Sequence, residues 1–264
     1  VDGSTQPFFR FAKGKDMSER KVAFVTGALG GIGSEICRHL VKANYKVIAT
    51  VVPREEDREK QWLKNEGFQQ EDIRFVLTDL TNHAAATTAI QDAIKAEGRV
   101  DVLVNNAGIT RDATFKKMSF EQWSQVLDTN LKTLFTVTHP VFSQMLEQKQ
   151  GRIVNISSVN GLKGQYGQVN YSAAKAGVIG FTKALAQEGA RSNVCVNVVA
   201  PGYTATPMVT GMRQEVVKSI EDQIPLNRLA QPEEIAAAVM YLVGEYGTYI
   251  TGETLSINGG LYMQ

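Results

Sequence analysis

Residues 22–40, VAFVTGALGGIGSEICRHL, leave this chain few folds to choose from. The run VAFV is too short for a helix and is bounded by glycine, so it reads as a strand buried on both faces, the kind that belongs to a parallel sheet. Thr26-Gly27-Ala28-Leu29-Gly30-Gly31-Ile32-Gly33 follows, and then a helical pattern with Ile36, Cys37 and Leu40 on its apolar face. Glycines at such a turn let the backbone approach a pyrophosphate, and the new helix offers its unpaired N–H groups and positive dipole end to the anion. The rest of the chain alternates in the same way. Strand patterns fall at 46–52, 73–77, 102–104, 153–156, 194–199 and 253–257, with helical patterns at 56–66, 84–96, 120–147 and 232–242, and one more across Tyr171 and Lys175. The expectation is a single α/β domain over 17–264, a doubly wound Rossmann fold with a parallel sheet and helices on both faces.

Composition narrows the function. At 264 residues and 43% hydrophobic content the chain can bury a full core. Its 28 Lys and Arg are interspersed with 27 Asp and Glu, which gives no footprint for nucleic acid or a membrane surface. Cys37 and Cys195 both sit in apolar segments, which predicts buried free thiols in a reducing, cytoplasmic setting. His39, His83 and His139 share no ligand spacing, so no metal site is expected. No apolar run approaches the roughly eighteen residues of a membrane span. Residues 1–16 lack the apolar stretch of a signal peptide, and Met17 begins the regular pattern. They read as an appended or disordered extension, with a docking arm through Phe8, Phe9 and Phe11 as the alternative.

The chemistry concentrates between 151 and 187. A short apolar strand leads to Ser157 and Ser158, then a Gly/Gln-rich loop, then a helix carrying Tyr171 and Lys175. Residues four apart share a helix face, which puts an ammonium beside a phenol. A free tyrosine holds its proton to a pKa of about 10, and a neighbouring fixed cation favours the phenolate and lowers that value. The hydroxyl of Ser158, at a strand end, is expected to polarise the same substrate oxygen that Tyr171 protonates. By itself the Tyr/Lys spacing is also that of an ordinary surface contact, and only a dinucleotide site in the same chain gives it catalytic meaning.

That site is written in T-G-x-x-x-G-x-G at 26–33, Asn105-Asn106-Ala107-Gly108 after the fourth strand, and Pro201-Gly202 after the sixth. Together with Tyr171-x-x-x-Lys175 these resemble the short-chain dehydrogenase/reductases, and the likeness runs from Lys21 to the C-terminus. The resemblance implies a catalytic tetrad of Asn130, Ser158, Tyr171 and Lys175, with Asn130 holding a water that connects Lys175 to solvent. Asn130 otherwise reads as a polar break in an apolar stripe that includes Val126, Leu127, Leu131, Leu134, Phe135 and Val137. It further implies dinucleotide contacts from Gly27, Leu29, Gly30, Gly31, Ile32 and Gly33, from Asn106, Ala107, Gly108, Ile109 and Thr110, and from Tyr171, Lys175, Pro201, Gly202, Tyr203 and Thr204. Asp79 and Leu80 match the family's adenine contact, while Asp79 and Thr81 also read as a cap for the helix at 84–96. The strand at 46–52 ends with no carboxylate to hold ribose hydroxyls and repel a 2′-phosphate. Arg54 or Arg58 is placed to pair with that phosphate, so NADP is expected over NAD, although Leu29 stands where many NADP-dependent members carry a basic residue.

Finer matches lie in Gly108-Ile109-Thr110-Arg111-Asp112 and in the stretch from Ser157 to Gln168. They resemble the acetoacetyl-CoA reductases of polyhydroxybutyrate synthesis. This implies NADPH-dependent formation of an (R)-3-hydroxy thioester and substrate contacts at Asp112, Ser158, Gln165, Tyr166, Gly167, Gln168, Tyr203 and Arg213, beside a lid over 205–223. The alternative in the same family is a 3-oxoacyl-acyl-carrier-protein reductase, for which Lys116, Lys117 and Arg191 would hold an acidic carrier. A non-catalytic dinucleotide-sensing regulator is the reading from another class. The resemblance also implies a homotetramer, for which small residues Ala173, Ala174, Ala176 and Gly177 would permit close helix approach.

Overall fold

The computed structural model describes residues 20–53 and 58–263. The expectations for residues 1–16 and for Arg54 fall outside them.

Seven strands form one parallel sheet: β1 Lys21–Val25, β2 Tyr45–Val51, β3 Ile73–Leu77, β4 Val102–Asn105, β5 Gly151–Ile156, β6 Val194–Pro201 and β7 Thr254–Ile257. Their order is β3-β2-β1-β4-β5-β6-β7. The chain runs outward from β1 to β3 and then returns past β1 to β4, so the strand order reverses between β1 and β4, where an open parallel sheet leaves a crevice at its carboxyl edge.

The helices are α1 Gly31–Lys42, α2 Arg58–Glu66, α3 His83–Glu97, α4 Phe120–Leu127, α5 Thr133–Gln148, α6 Val159–Lys163, α7 Val169–Gly189, α8 Pro207–Thr210, α9 Gln214–Glu221 and α10 Pro232–Val243. Strand side chains alternate between faces, and β1 shows how the two layers are served. Ala23 and Val25 pack with Ile36 and Leu40 of α1, Trp62 of α2 and Val239 of α10, whereas Val22 and Phe24 pack with Ile90 of α3 and Val141 of α5. Central strands are therefore covered on both faces, and β5 and β6 are buried throughout. Full burial of a Phe24, Ile48 or Leu103 contributes about 1.5–3 kcal/mol each.

Residues 120–147 are helical as expected, but the stripe is broken where Asn130 stands: Asp128–Lys132 forms a π-helical turn between α4 and α5. The segment after β6 is not merely polar. It carries α8 and α9, and Ile220, Ile224 and Leu229 form a small apolar cluster beneath Tyr203. No helix among the described residues is long and apolar enough to cross a membrane.

Candidate active site

The turn after β1 is tied to the turn after β4. Thr26 Oγ1 accepts from the N–H groups of Asn106 and Ala107, each at 3.0 Å, and Asn106 Nδ2 donates to the carbonyls of Thr26 (3.2 Å) and Gly27 (2.9 Å). Two of the glycines leave no room for a side chain. Gly27 has φ of +63°, and a Cβ on Gly33 would lie 2.1 Å from the Gly27 carbonyl oxygen. Gly30 caps α1 without a side-chain hydrogen bond, and no acid occupies the first turn. A helix start of this kind presents backbone donors and no competing charge, which fits the pyrophosphate of a dinucleotide. Gly31 backs onto Thr206, whose Cγ2 would stand 2.9 Å from an added Cβ, so the segment after β6 closes on the same turn.

Other sequence-derived contacts of this half are placed as follows. Asp79 Oδ1 accepts from the N–H (2.9 Å) and hydroxyl (2.7 Å) of Thr81. Neither residue caps α3. Asn82 does, its side chain accepting from Ala85 N–H, because the helix begins one residue after it at His83. Leu80 is buried, and Arg58 is exposed at the start of α2. Thr204 is 4% exposed, with its hydroxyl on the Gly202 carbonyl at 3.3 Å.

The four tetrad residues meet at the carboxyl ends of β4 and β5. The π turn aims Asn130 at the loop following Gly108, where its side chain accepts from Ile109 N–H and donates to Ile109 C=O, both at 2.8 Å. A Cβ on Gly108 would lie 3.4 Å from Asn130 Oδ1 and 3.5 Å from Lys175 Nζ, so Gly108 stands beside both groups. Ser157 Oγ donates to the Lys175 carbonyl (2.7 Å), and Lys175 Nζ donates to the Ile156 carbonyl (2.7 Å), locking α7 to the end of β5. Gly161 permits the same contact from α6, since a Cβ there would meet Lys175 Cβ at 2.9 Å.

The electrostatics differ from the sequence-based expectation. Lys175 Nζ stands 5.7 Å from the centroid of the Tyr171 ring and is turned to the Ile156 carbonyl. It does not lower the Tyr171 pKa. Burial raises that pKa, with the Asp112 carboxylate adding to the rise and a hydrogen bond with Ser158 opposing it. The phenol is thus held in its acid form. Lys175 is 4% exposed, and burial brings its pKa down to about 8.

Of the expected substrate contacts, Asp112 and Gln168 are joined, Gln168 Nε2 donating to Asp112 Oδ2 at 2.8 Å, and the Asp112 charge reaches both Tyr171 and Tyr203. Gly167 accepts from Ala113 N–H (2.9 Å) and so fastens the loop before α7 to the one after β4. Gln165 is engaged by Lys163 (2.8 Å), Tyr166 is 87% exposed, and Arg213 is exposed at the start of α9. Lys116 and Lys117 are exposed on a short turn four and five residues beyond Asp112, whereas Arg191 precedes β6, at the amino ends of the strands and so away from the tetrad. Among the small residues of α7, Ala174 is fully buried and Gly177 faces Leu131, which leaves Ala173 and Ala176 exposed. Phe135 is 55% exposed, between His83 and His139. A cavity of about 390 Å³ between α6, α7 and the start of β7 has no tetrad residue in its lining.

Sequence reasoning missed a buried polar ladder. Thr138 Oγ1 accepts from Asn105 Nδ2 (3.0 Å), Asn155 Oδ1 accepts from the same amide (2.8 Å), and Asn155 Nδ2 donates to Thr182 Oγ1 (2.8 Å). It also missed Asn170, fully buried, whose amide donates to the carbonyls of Arg111 (3.0 Å) and Gln122 (3.1 Å) while its oxygen accepts from Tyr171 N–H (2.8 Å). Asparagines inside otherwise apolar strands, and one beside the tyrosine, were the available signal.

A family model described as short chain dehydrogenase matches residues 21–217. An acetoacetyl-CoA reductase of Acinetobacter sp. (strain RA3849) is 84% identical over 247 residues, covering 94% of this chain and 100% of that protein. One from Cupriavidus necator is 49% identical over 248 residues, covering 92% of this chain and 99% of its own length. A 3-oxoacyl-acyl-carrier-protein reductase of Vibrio cholerae is 44% identical over 245 residues, covering 93% and 98%. The chain belongs to the short-chain dehydrogenase family.

Proposed function

We propose that the protein reduces acetoacetyl-CoA to (R)-3-hydroxybutanoyl-CoA with NADPH. The observation that carries the substrate is the 84% identity to an acetoacetyl-CoA reductase along that relative's whole length. The reaction type is supported by the meeting of Ser158, Tyr171, Lys175 and Asn130 beside the glycine turn.

The residues divide the work. Backbone donors from Gly31 to Gly33 would hold the dinucleotide pyrophosphate, and Asn106 to Thr110 would line its path toward the tetrad. NADPH, when bound, supplies the hydride for the keto carbon. Ser158 hydrogen-bonds the carbonyl oxygen, and Tyr171 donates its phenolic proton to that oxygen as the alkoxide develops. The resulting phenolate takes a proton from Lys175, which Asn130 and the turn at Gly108 connect to the surface. Preference for the 2′-phosphorylated dinucleotide is supported by the uncharged end of β2 and by Arg58, exposed at the start of α2.

Lys116 and Lys117, close to Asp112, support the carrier-protein alternative and give the assay its second arm. Loss of nicotinamide absorbance, measured with acetoacetyl-CoA and with acetoacetyl carrier protein, each with NADPH and NADH, is expected to give the highest kcat/KM for acetoacetyl-CoA with NADPH. A higher value for the carrier protein overturns the substrate, and a higher value for NADH overturns the cofactor. A homotetramer is proposed on Ala173 and Ala176 of α7 and Phe135 of α5, which this chain leaves exposed. Light scattering that returns the mass of one chain would refute it.

A further inference from the structure

Ser158 is held by its neighbour. The Ser158 Oγ accepts from the backbone N–H of Asn160 at 3.1 Å. The Asn160 side chain runs the other way, Nδ2 donating to Gln168 Oε1 at 2.9 Å, and Gln168 Nε2 donating to Asp112 Oδ2 at 2.8 Å. The direction of this chain is dictated from its far end. A carboxylate only accepts, so Asp112 obliges Gln168 to present its NH₂, Gln168 is left facing Asn160 with its oxygen, and Asn160 answers with its own NH₂. Gln168 stands at the N-cap position of α7 yet makes no side-chain cap bond, because its amide is engaged in this strut. Asn160 is 7% exposed, and its remaining acceptor, Oδ1, is buried without a partner. An unsatisfied buried acceptor works against folding, so good packing alone does not account for an asparagine here.

We propose that Asn160 is a positioning residue for thioester binding: through Gln168 it sets the direction in which the Asp112 carboxylate faces the site, from the same residue whose backbone holds Ser158. This rests on the thioester reading above. It also changes the part given to Gln168, which becomes a strut for Asp112 with both ends of its amide occupied.

Asn160→Asp tests the proposal, since it keeps the backbone N–H to Ser158 and the shape of the side chain while replacing the donor by an acceptor. The expected result is a KM for acetoacetyl-CoA raised about 10-fold, a kcat within about three-fold of wild type and an unchanged Kd for NADPH. Gln168→Ala is expected to give the same KM shift, and the double variant no more than either alone. Asn160→Ala, which withdraws the donor without adding charge, carries the same expectation if Asn160→Asp fails to fold. A KM within about two-fold of wild type, additive effects in the double variant, or a loss confined to kcat overturns the proposal. If the wild-type protein turns over only the carrier-protein thioester, the substrate reading fails by itself, and the same KM pattern is then expected with that thioester.

Discussion

Tyr171→Phe is expected to lower kcat for thioester reduction by about 10²–10⁴-fold while the Kd for NADPH, followed by fluorescence titration, stays at its wild-type value. The substitution removes one oxygen and nothing else. The ring that lies 5.7 Å from Lys175 Nζ is retained, as is the backbone N–H bonded to Asn170. What is lost is the group that burial keeps protonated and that Ser158 contacts. Lys175 does not take its place at the substrate oxygen, because its ammonium is turned to the Ile156 carbonyl. Turnover that survives in Tyr171→Phe would sink the mechanism. A wild-type protein that binds NADPH but reduces no thioester would instead favour the regulator reading.

Lys175 gives the second large effect, and it has two signs. In the folded chain its pKa falls from an ordinary 10.5 to about 8. Below about pH 8 the ammonium is charged and can return a proton to the phenolate, and above it the reservoir is empty. kcat/KM for reduction is therefore expected to fall about ten-fold per pH unit on the alkaline side of about 8. A profile flat to pH 10 would contradict this. Stability runs the other way. Between about 8 and 10.5 the unfolded chain binds more protons than the folded one, so folding strengthens as pH rises through that window, and at pH 7 the full penalty applies. At about 1.4 kcal/mol per unit, that penalty is on the order of 3 kcal/mol. Lys175→Met is expected to lose kcat by about 10²-fold or more and yet to melt at a higher temperature at pH 7. A melting temperature below wild type at pH 7 would show that the bond to Ile156 outweighs the burial of the charge.

The fold was legible because its signals are local. Short apolar runs and a glycine turn each declare themselves within a few positions, and the seven strands fall on the segments so marked. The pairing of Tyr171 with Lys175 in the candidate site was legible for a similar reason, the two lying one helical turn apart, whereas Asn130 entered through the family resemblance. The remainder depends on which way a side chain turns once distant segments meet. Nothing local says that the Lys175 ammonium prefers a carbonyl nineteen residues upstream to the phenol four residues away. Gly177 and Ala174 look as available for subunit contact as Ala173 and Ala176 until Leu131 and the core claim them. Arg191 reads as one more surface cation, and only the parallel pairing of β6 with β5 shows it to lie at the amino ends of the strands, away from the tetrad. At Asn130 the sequence marked a break in the stripe, but a π turn depends on the bonds to Ile109 that hold it.

The ladder Thr138–Asn105–Asn155–Thr182 has a consequence for assembly of the sheet. Parallel apolar strands such as β4 and β5 offer little to tell one alignment from the next, for a valine is much like a valine two places along. Asn105 lies directly opposite Asn155, and both amides are closed off from water. Sliding one strand along the other would separate the amides and strand each among hydrocarbon, at about 1–3 kcal/mol apiece. The pair therefore works as an alignment pin, rejecting every register but the one that brings the Gly108 turn level with Ser158.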